Sequence, residues 1–285
     1  MKYNKKNKII LGTANFGYDY KTISQKKKIS KKEINQILKF AKIKNIVEFD
    51  TAANYKGVEK LIGKFIKKNK SSNQWKIITK LKYNKNTNFY SAISKSIKNL
   101  NINPYAILAH DLKTYKNKNF HKALDSFKKI KRGISVYEKS EAISAIEYRK
   151  PEIIQFPINL FDQRFVKNNF LKYLKKNNIE THARSIFLKG VLYNNNKNTK
   201  KNNEVLYKTI IKMSDYLDKY KISLSEKSLL DAFNNKNIDK LVIGIDNVGQ
   251  LERNICIVKK KDAKVLKLKI KLNLNFKYTD PRKWN

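Results

Sequence analysis

Three short apolar runs each end in a residue able to hold or move a proton. IVEF runs into Asp50, KIIT into Lys80 and AILA into His110, and Tyr55 follows shortly after the first. A tyrosine hydroxyl has an ordinary pKa of about 10, too high to exchange protons easily near neutrality. A lysine ammonium beside it stabilises the phenolate, and an aspartate fixes the lysine by a charge-assisted hydrogen bond. An imidazole opposite can donate to a carbonyl oxygen and orient it. Together the four suit protonation of a carbonyl oxygen while a hydride reaches the carbon. Each residue alone has a plainer reading: an Asp ending a strand is often a helix N-cap, and a lone His is more often structural. All four at equivalent heights on adjacent strands have no simple packing explanation.

The elements that must position them recur regularly. Short β-rich runs lie at Ile9–Leu11, Ile46–Phe49, Lys76–Thr79, Ala106–Ala109, Gly133–Val136, Ile153–Phe156, Glu180–Ala183 and Leu241–Ile243. Between them, Ile34, Ile37, Leu38 and Ala41 fall at i, i+3, i+4, i+7, and Val58, Leu61, Ile62 and Phe65 repeat that helical spacing. Further helices are expected over Ile93, Ile97 and Leu100, over Leu124, Phe127 and Ile130, over Phe170, Leu171 and Leu174, and over Leu251, Ile255 and Val258. Alternating strands and helices imply a parallel sheet, and eight units imply an α/β fold closed as a single (β/α)8 TIM barrel. The gap between Ala183 and Leu241 is about twice the others, so an extended loop and helical insertion is expected between strands seven and eight. Its first part, Tyr193 to Asn203, reads as a mobile Asn/Lys-rich loop; Val205–Tyr220 and Leu224–Phe233 read as helices. No internal boundary divides residues 1–285, which are expected to form one domain, and the tail after Ala263 has no place in the repeat.

The chain carries 64 Lys+Arg against 23 Asp+Glu, a formal net charge of +41. Its 41% hydrophobic and 11% aromatic residues argue against a disordered polycation. Specific nucleic-acid binding is not expected, because arginine occurs only at positions 132, 149, 164, 184, 253 and 282 and the lysines are scattered over every segment. Salt-sensitive attraction to polyanions is expected instead. The lone Cys256 excludes an internal disulfide framework and a Cys-based zinc cluster, and no metal site is expected. Ile9–Leu11 is far short of the roughly 7–15 apolar residues of a secretion signal, and no stretch approaches the ~20 of a membrane span. A cytoplasmic protein without a membrane partner is the expectation.

At the four proton-handling residues the chain resembles the aldo-keto reductases. DTAANYKGVEKLIG, Asp50 to Gly63, is similar to that family's D-T-A-x-x-Y-G-x-x-E-x-x-L-G signature, with Lys56 in the place of its glycine and Gly57 one residue on. IITK ending at Lys80 and ILAH ending at His110 follow at family spacing. The likeness continues through LGTANFG, GISVY, IIQFPINLFDQRF, HARSIFLKG and VIGIDNVGQLERN. It implies a nicotinamide-dependent reductase of an aldehyde or ketone, with Tyr55 as general acid, Lys80 tuning it, Asp50 holding Lys80 and His110 orienting the carbonyl. It further implies a cofactor site of Gly12, Thr13, Ser135, Gln155, Arg184, Ser185, Gly244, Asn247, Gln250 and Asn254. Within that set Gln155 and Ser135 would face the nicotinamide, and Gly244 to Asn254 would cradle the adenosine phosphate end. Arg184 stands where many members place an aromatic that stacks on the nicotinamide, and Val136 replaces an Asn. NADPH is the implied cofactor, with NADH as the alternative because no Lys or Arg lies between Gly244 and Gln250. HARS and NLFDQR resemble a bacterial branch associated with surface-sugar metabolism, which implies a sugar-like or small carbonyl substrate.

Other residues read more plainly. His121 is expected on the surface, Trp75 in packing at the start of strand three, and Trp284 over a barrel opening. His182 could point into the barrel mouth or pack, and Tyr18 or Tyr20 could touch substrate. Two competing functions are a non-catalytic, cofactor-sensing regulatory barrel and a polyanion-binding protein. The oligomeric state is left open by the sequence.

Overall fold

A computed structural model of the chain describes residues 8–17, 29–69, 74–193, 199, 203–260 and 274–283. Eight parallel strands close into a barrel in chain order. They are β1 (Ile9–Gly12), β2 (Glu48–Asp50), β3 (Lys76–Leu81), β4 (Ala106–Ala109), β5 (Lys131–Ser135), β6 (Ile153–Pro157), β7 (Glu180–Arg184) and β8 (Lys240–Gly244). The closure is made by β1 against β8, with Ile10 opposite Val242 and Gly12 opposite Gly244. All eight expected runs are strands; β2 begins later than expected, after Ile46 and Val47.

Alternation along each strand explains where the site sits. Residues two apart share a face, and the inward row Ile10, Ile78, Ala106, Leu108, Ile153 and Val242 forms one buried cluster inside the barrel. Two residues further on from Ile10, Ile78, Leu108, Ile153 and Val242 come Gly12, Lys80, His110, Gln155 and Gly244. The polar residues therefore rest on an apolar plug at the C-terminal end. At the other end, Glu180 accepts from Tyr105 Oη (2.9 Å) and Lys131 Nζ (3.1 Å), and its Oε1 lies 2.9 Å from His182 Nε2. His182 is thus inward but engaged towards the far end, away from the mouth.

The helices are α1 (Lys31–Ile43), α2 (Val58–Lys68), α3 (Phe89–Leu100), α4 (Leu112–Tyr115), α5 (Lys118–Asp125), α6 (Lys139–Tyr148), α7 (Phe170–Lys176), α8 (Glu204–Asp218), α9 (Leu224–Asn234) and α10 (Val248–Lys260). Their apolar faces meet the outward faces of the strands in the main core, where Trp75 packs against Phe49 and Phe65. The pair α8 and α9 forms the expected insertion between β7 and β8. Most of the expected 193–203 loop, Tyr18, Tyr20, Trp284 and the alternating part of the tail lie outside the described residues.

Three local features depart from the sequence reading. The helix expected across Leu124, Phe127 and Ile130 ends at Asp125, and Lys129 adopts a left-handed backbone (φ 76°), so the last two apolar residues belong to the turn into β5. Helix α6 was not anticipated, because its buried residues are only Ala142 and Ala145 and its apolar periodicity is correspondingly weak. His121 is buried, not exposed: its Nε2 lies 2.5 Å from the Tyr115 carbonyl, remote from the barrel mouth.

Several residues of the Asp50–Gly63 segment are scaffold. Gly57, at φ 75°, makes the left-handed entry to α2, which places the turn one residue later than in the family signature and leaves Lys56 exposed. Buried Glu59 accepts from Thr79 Oγ1 (2.8 Å) and Asn99 Nδ2 (3.2 Å), tying α2 to β3 and α3. At Gly63 a Cβ would collide with the Asn99 carbonyl at the α2–α3 approach. Gly63→Ala is therefore expected to lower stability by about 1–3 kcal/mol despite the better helix propensity of Ala, read as a reduced denaturant midpoint.

Candidate active site

A cavity of about 340 Å³ opens at the C-terminal ends of the strands, within the size range of small-molecule pockets. Asp50, Tyr55, Lys80 and His110 all line it, as do Gly12, Ser135, Gln155, Arg184, Ser185, Gly244 and Gln250 from the expected cofactor set. Thr13, Asn247 and Asn254 do not.

The floor is a buried chain of polar groups. Lys80 Nζ donates to Asp50 Oδ1 at 2.5 Å and to the Thr51 carbonyl at 3.1 Å. Gln155 Nε2 donates to the other Asp50 oxygen at 2.8 Å, so both carboxylate oxygens are held. Thr13 takes a supporting role: its N and Oγ1 both donate to the Asp50 carbonyl at 2.9 Å. Burial lowers the Lys80 pKa below the ordinary lysine value; Asp50 opposes that shift, and the Arg184 charge adds to it.

Tyr55 enters from the loop after β2, which is pinned to β3 by Thr51 N on the Ile78 carbonyl (2.8 Å) and Ala53 N on the Lys80 carbonyl (3.0 Å). The turn closes through Tyr55 N on the Ala52 carbonyl at 3.0 Å. His110 follows β4. Burial and the Lys80 ammonium hold its pKa down to about 4, so its imidazole is neutral near pH 7.

On the β5–β7 side, Arg184 donates from Nε to Ser135 Oγ (3.3 Å), from Nη1 to Ser185 Oγ (3.1 Å) and from Nη2 to the Val136 carbonyl (3.0 Å). Its guanidinium lies over the Tyr137 ring, with Cζ 4.1 Å from the centroid. The tail, unplaced by the sequence, returns here. Arg282 also lies over Tyr137, at 3.4 Å, and lines the cavity, while Phe276 lies under Arg164 at 4.3 Å. Arg164 is clamped to Asp162 (Nε–Oδ1 2.9 Å, Nη2–Oδ2 2.8 Å) and Glu138 (2.9 Å). The Asp162 and Arg164 of NLFDQR thus build the platform on which the tail docks. Tail residue Arg282 was not anticipated as a site residue, since no local pattern ties position 282 to strand five.

The β8 side carries a second residue missed by sequence reasoning. Asp246 lines the cavity and accepts from Asn15 Nδ2 (2.8 Å) and Gln250 Nε2 (3.3 Å). Asn247, expected to bind cofactor, is exposed, and its Oδ1 accepts from Gln250 N at 2.9 Å at the start of α10. Asn254 is buried and bonded to Tyr193 Oη, so that contact would have to open before Asn254 could meet a ligand.

The cavity wall fits a nicotinamide. Gln155 is fully buried, lines the cavity and leaves Oε1 without a hydrogen-bond partner. A buried amide oxygen left unpaired costs about 1–3 kcal/mol, and a carboxamide N–H arriving in the cavity would satisfy it. Ser135 Oγ stands one strand away.

The sequence matches the aldo/keto reductase family model over residues 8–270, and the chain belongs to that family. Its fold is similar to that of PA4992 from Pseudomonas aeruginosa, described as an aldo-keto reductase, with a TM-score of 0.66 and 17% identity over 91% of each chain. It is also similar to the thermostable aldo-keto reductase Tm1743, solved with the inhibitor epalrestat. There the TM-score is 0.67 and the identity 19%, over 91% of this chain and 93% of that one. No curated protein matches the sequence.

Proposed function

We propose that the protein reduces an aldehyde or ketone, sugar-like or small, to an alcohol with a nicotinamide cofactor. The observation that carries this reading is the convergence of Asp50, Tyr55, Lys80 and His110 on one cavity beside the orphaned Gln155 oxygen. The bound cofactor would supply a hydride to the carbonyl carbon. Tyr55 gives its hydroxyl proton to the carbonyl oxygen, and the Lys80 ammonium stabilises the phenolate left behind. Asp50, held by Lys80 and Gln155, keeps Lys80 in place. Neutral His110 donates an N–H to the oxygen and orients it without competing as a proton source. Gln155 and Ser135 receive the carboxamide, Gly12 and Gly244 leave room at the strand ends, and Gln250 stands at the start of α10 for the adenosine end.

NADPH is the favoured nucleotide on the family likeness, and Asp246 favours NADH as a second reading. A carboxylate at the mouth near α10 repels a ribose 2′-phosphate docked there. Asp246→Asn is expected to raise NADPH affinity relative to NADH by about three- to tenfold, an unscreened estimate for charges several ångströms apart.

Binding is tested by titrating the protein with NADPH and with NADH at moderate and high salt, following nucleotide fluorescence. Saturable, near-stoichiometric binding that persists in salt supports the cofactor site. Binding that vanishes with salt for both nucleotides reduces it to charge attraction and favours the polyanion reading. Saturable binding without turnover of any carbonyl favours the regulatory barrel.

A further inference from the structure

We propose that the carbonyl substrate carries an anionic group, a carboxylate or a phosphate, which Arg184 binds with Arg282 beside it. The proposal rests on the reductase reading of the cavity and adds the chemistry of its substrate.

On the β5–β7 side the cavity lining is weighted towards cations. The carboxylates lining the cavity are Asp50 and Asp246. Asp50 is held by Lys80 and Gln155 on the floor, and Asp246 by Asn15 and Gln250 on the β8 side. The β5–β7 wall instead brings two guanidinium groups onto one ring, Tyr137, at 4.1 and 3.4 Å from its centroid. Arg282 is matched by Asp280, whose Oδ2 it reaches from Nη2 at 2.6 Å. Glu141, the nearby acid, accepts backbone N–H groups from Tyr137 (2.6 Å) and Glu138 (2.9 Å).

Arg184 has no carboxylate partner among the described residues. Its three hydrogen bonds all go to neutral oxygens. A guanidinium carries five N–H donors, so these three bonds leave one N–H on each terminal nitrogen of a residue that lines the cavity, and a guanidinium is the side chain best suited to a carboxylate or phosphate. The serines and the Val136 carbonyl hold the fork in place before a ligand arrives, which lowers the ordering cost of binding. Its charge also reaches the reaction centre, acting on both Lys80 and His110. An anion there would anchor a short substrate close to the proton donor.

The same two donors could meet the diphosphate of the cofactor, and the experiment separates the two sources. Steady-state kcat/KM is measured with saturating nucleotide at about 0.3 M salt, to screen diffuse attraction to a highly basic protein. Two matched pairs are compared: succinic semialdehyde against butyraldehyde, and glyceraldehyde 3-phosphate against glyceraldehyde. The wild-type protein is expected to favour the charged member of at least one pair by about ten- to a hundredfold, the worth of one hydrogen-bonded ion pair. Arg184→Gln is expected to bring that ratio close to one, and Arg184→Lys to retain part of it. If the glutamine variant does not fold, the lysine variant carries the comparison. NADPH affinity of each variant is measured alongside by fluorescence titration. A fall in nucleotide affinity with the charged-to-neutral ratio intact assigns the anion to the cofactor and overturns the proposal. Equal kcat/KM within both wild-type pairs overturns the proposal and leaves the reductase reading standing. No turnover of all four compounds with nucleotide bound removes the reductase reading and the proposal with it.

Discussion

Tyr55→Phe is expected to lower kcat/KM for carbonyl reduction by about 10²- to 10⁴-fold, the usual loss when a positioned general acid is removed. Nucleotide affinity should stay within about twofold, because the hydroxyl is assigned to the substrate oxygen. The ring is only partly buried and packs against the main core. Removing one oxygen therefore leaves the loop's anchors, the Thr51 and Ala53 bonds to β3, in place. Steady-state kinetics and fluorescence titration on the same preparation check both halves. Unchanged turnover would remove Tyr55 from its role.

Lys80→Met is expected to be nearly as damaging, and in a second way. The substitution removes the cation that stabilises the tyrosinate and strips the buried Asp50 carboxylate of its ammonium partner, leaving the Gln155 amide on its other oxygen. Stripping one partner from a buried ion pair costs about 3–5 kcal/mol, so thermal stability should fall together with activity. Asp50→Asn in the same chain should recover much of the stability and none of the turnover, which separates the two effects. The pH profile of kcat/KM sharpens the assignment. His110 titrates at about 4, so His110 should give no break between pH 5 and 8. A basic limb from Lys80 is expected below the ordinary lysine range, since burial lowers its pKa. In a folded Lys80→Met protein that limb should disappear.

Much of this was legible because it depends on short-range patterns. Each strand is a run of apolar residues whose alternation sets an inward and an outward face, and the position of Asp50, Lys80 and His110 at run ends follows from that period. Helices α1 and α2 declared themselves by apolar spacing; the reciprocal Ser30–Glu33 cap that starts α1 is seen in the structure. Helix α6 stayed hidden because two alanines carry its buried face, and alanine contrasts weakly with its neighbours. Arg282, Asp280 and Phe276 were out of reach for a different reason: the chain travels from β8 through α10 before the tail meets Tyr137 and Arg164, and nothing local encodes that return. Asp246 lies in the VIGIDNVGQLERN segment, but a single loop carboxylate has no periodicity to mark it, and its place at the cavity depends on Asn15 from the far end of the chain. Asn254 was matched by position, but Tyr193, from a loop without periodicity, holds it.

The central claim is that this cavity moves a hydride from a nicotinamide to a carbonyl. The most direct measurement uses NADPH or NADH deuterated at C4 on both faces, with an aldehyde that the protein turns over, and reads the alcohol by NMR. The account predicts one deuterium on the carbinol carbon, with its incorporation suppressed in Tyr55→Phe. Alcohol formed without deuterium on that carbon, or nucleotide held at saturation with no aldehyde or ketone consumed, would contradict it.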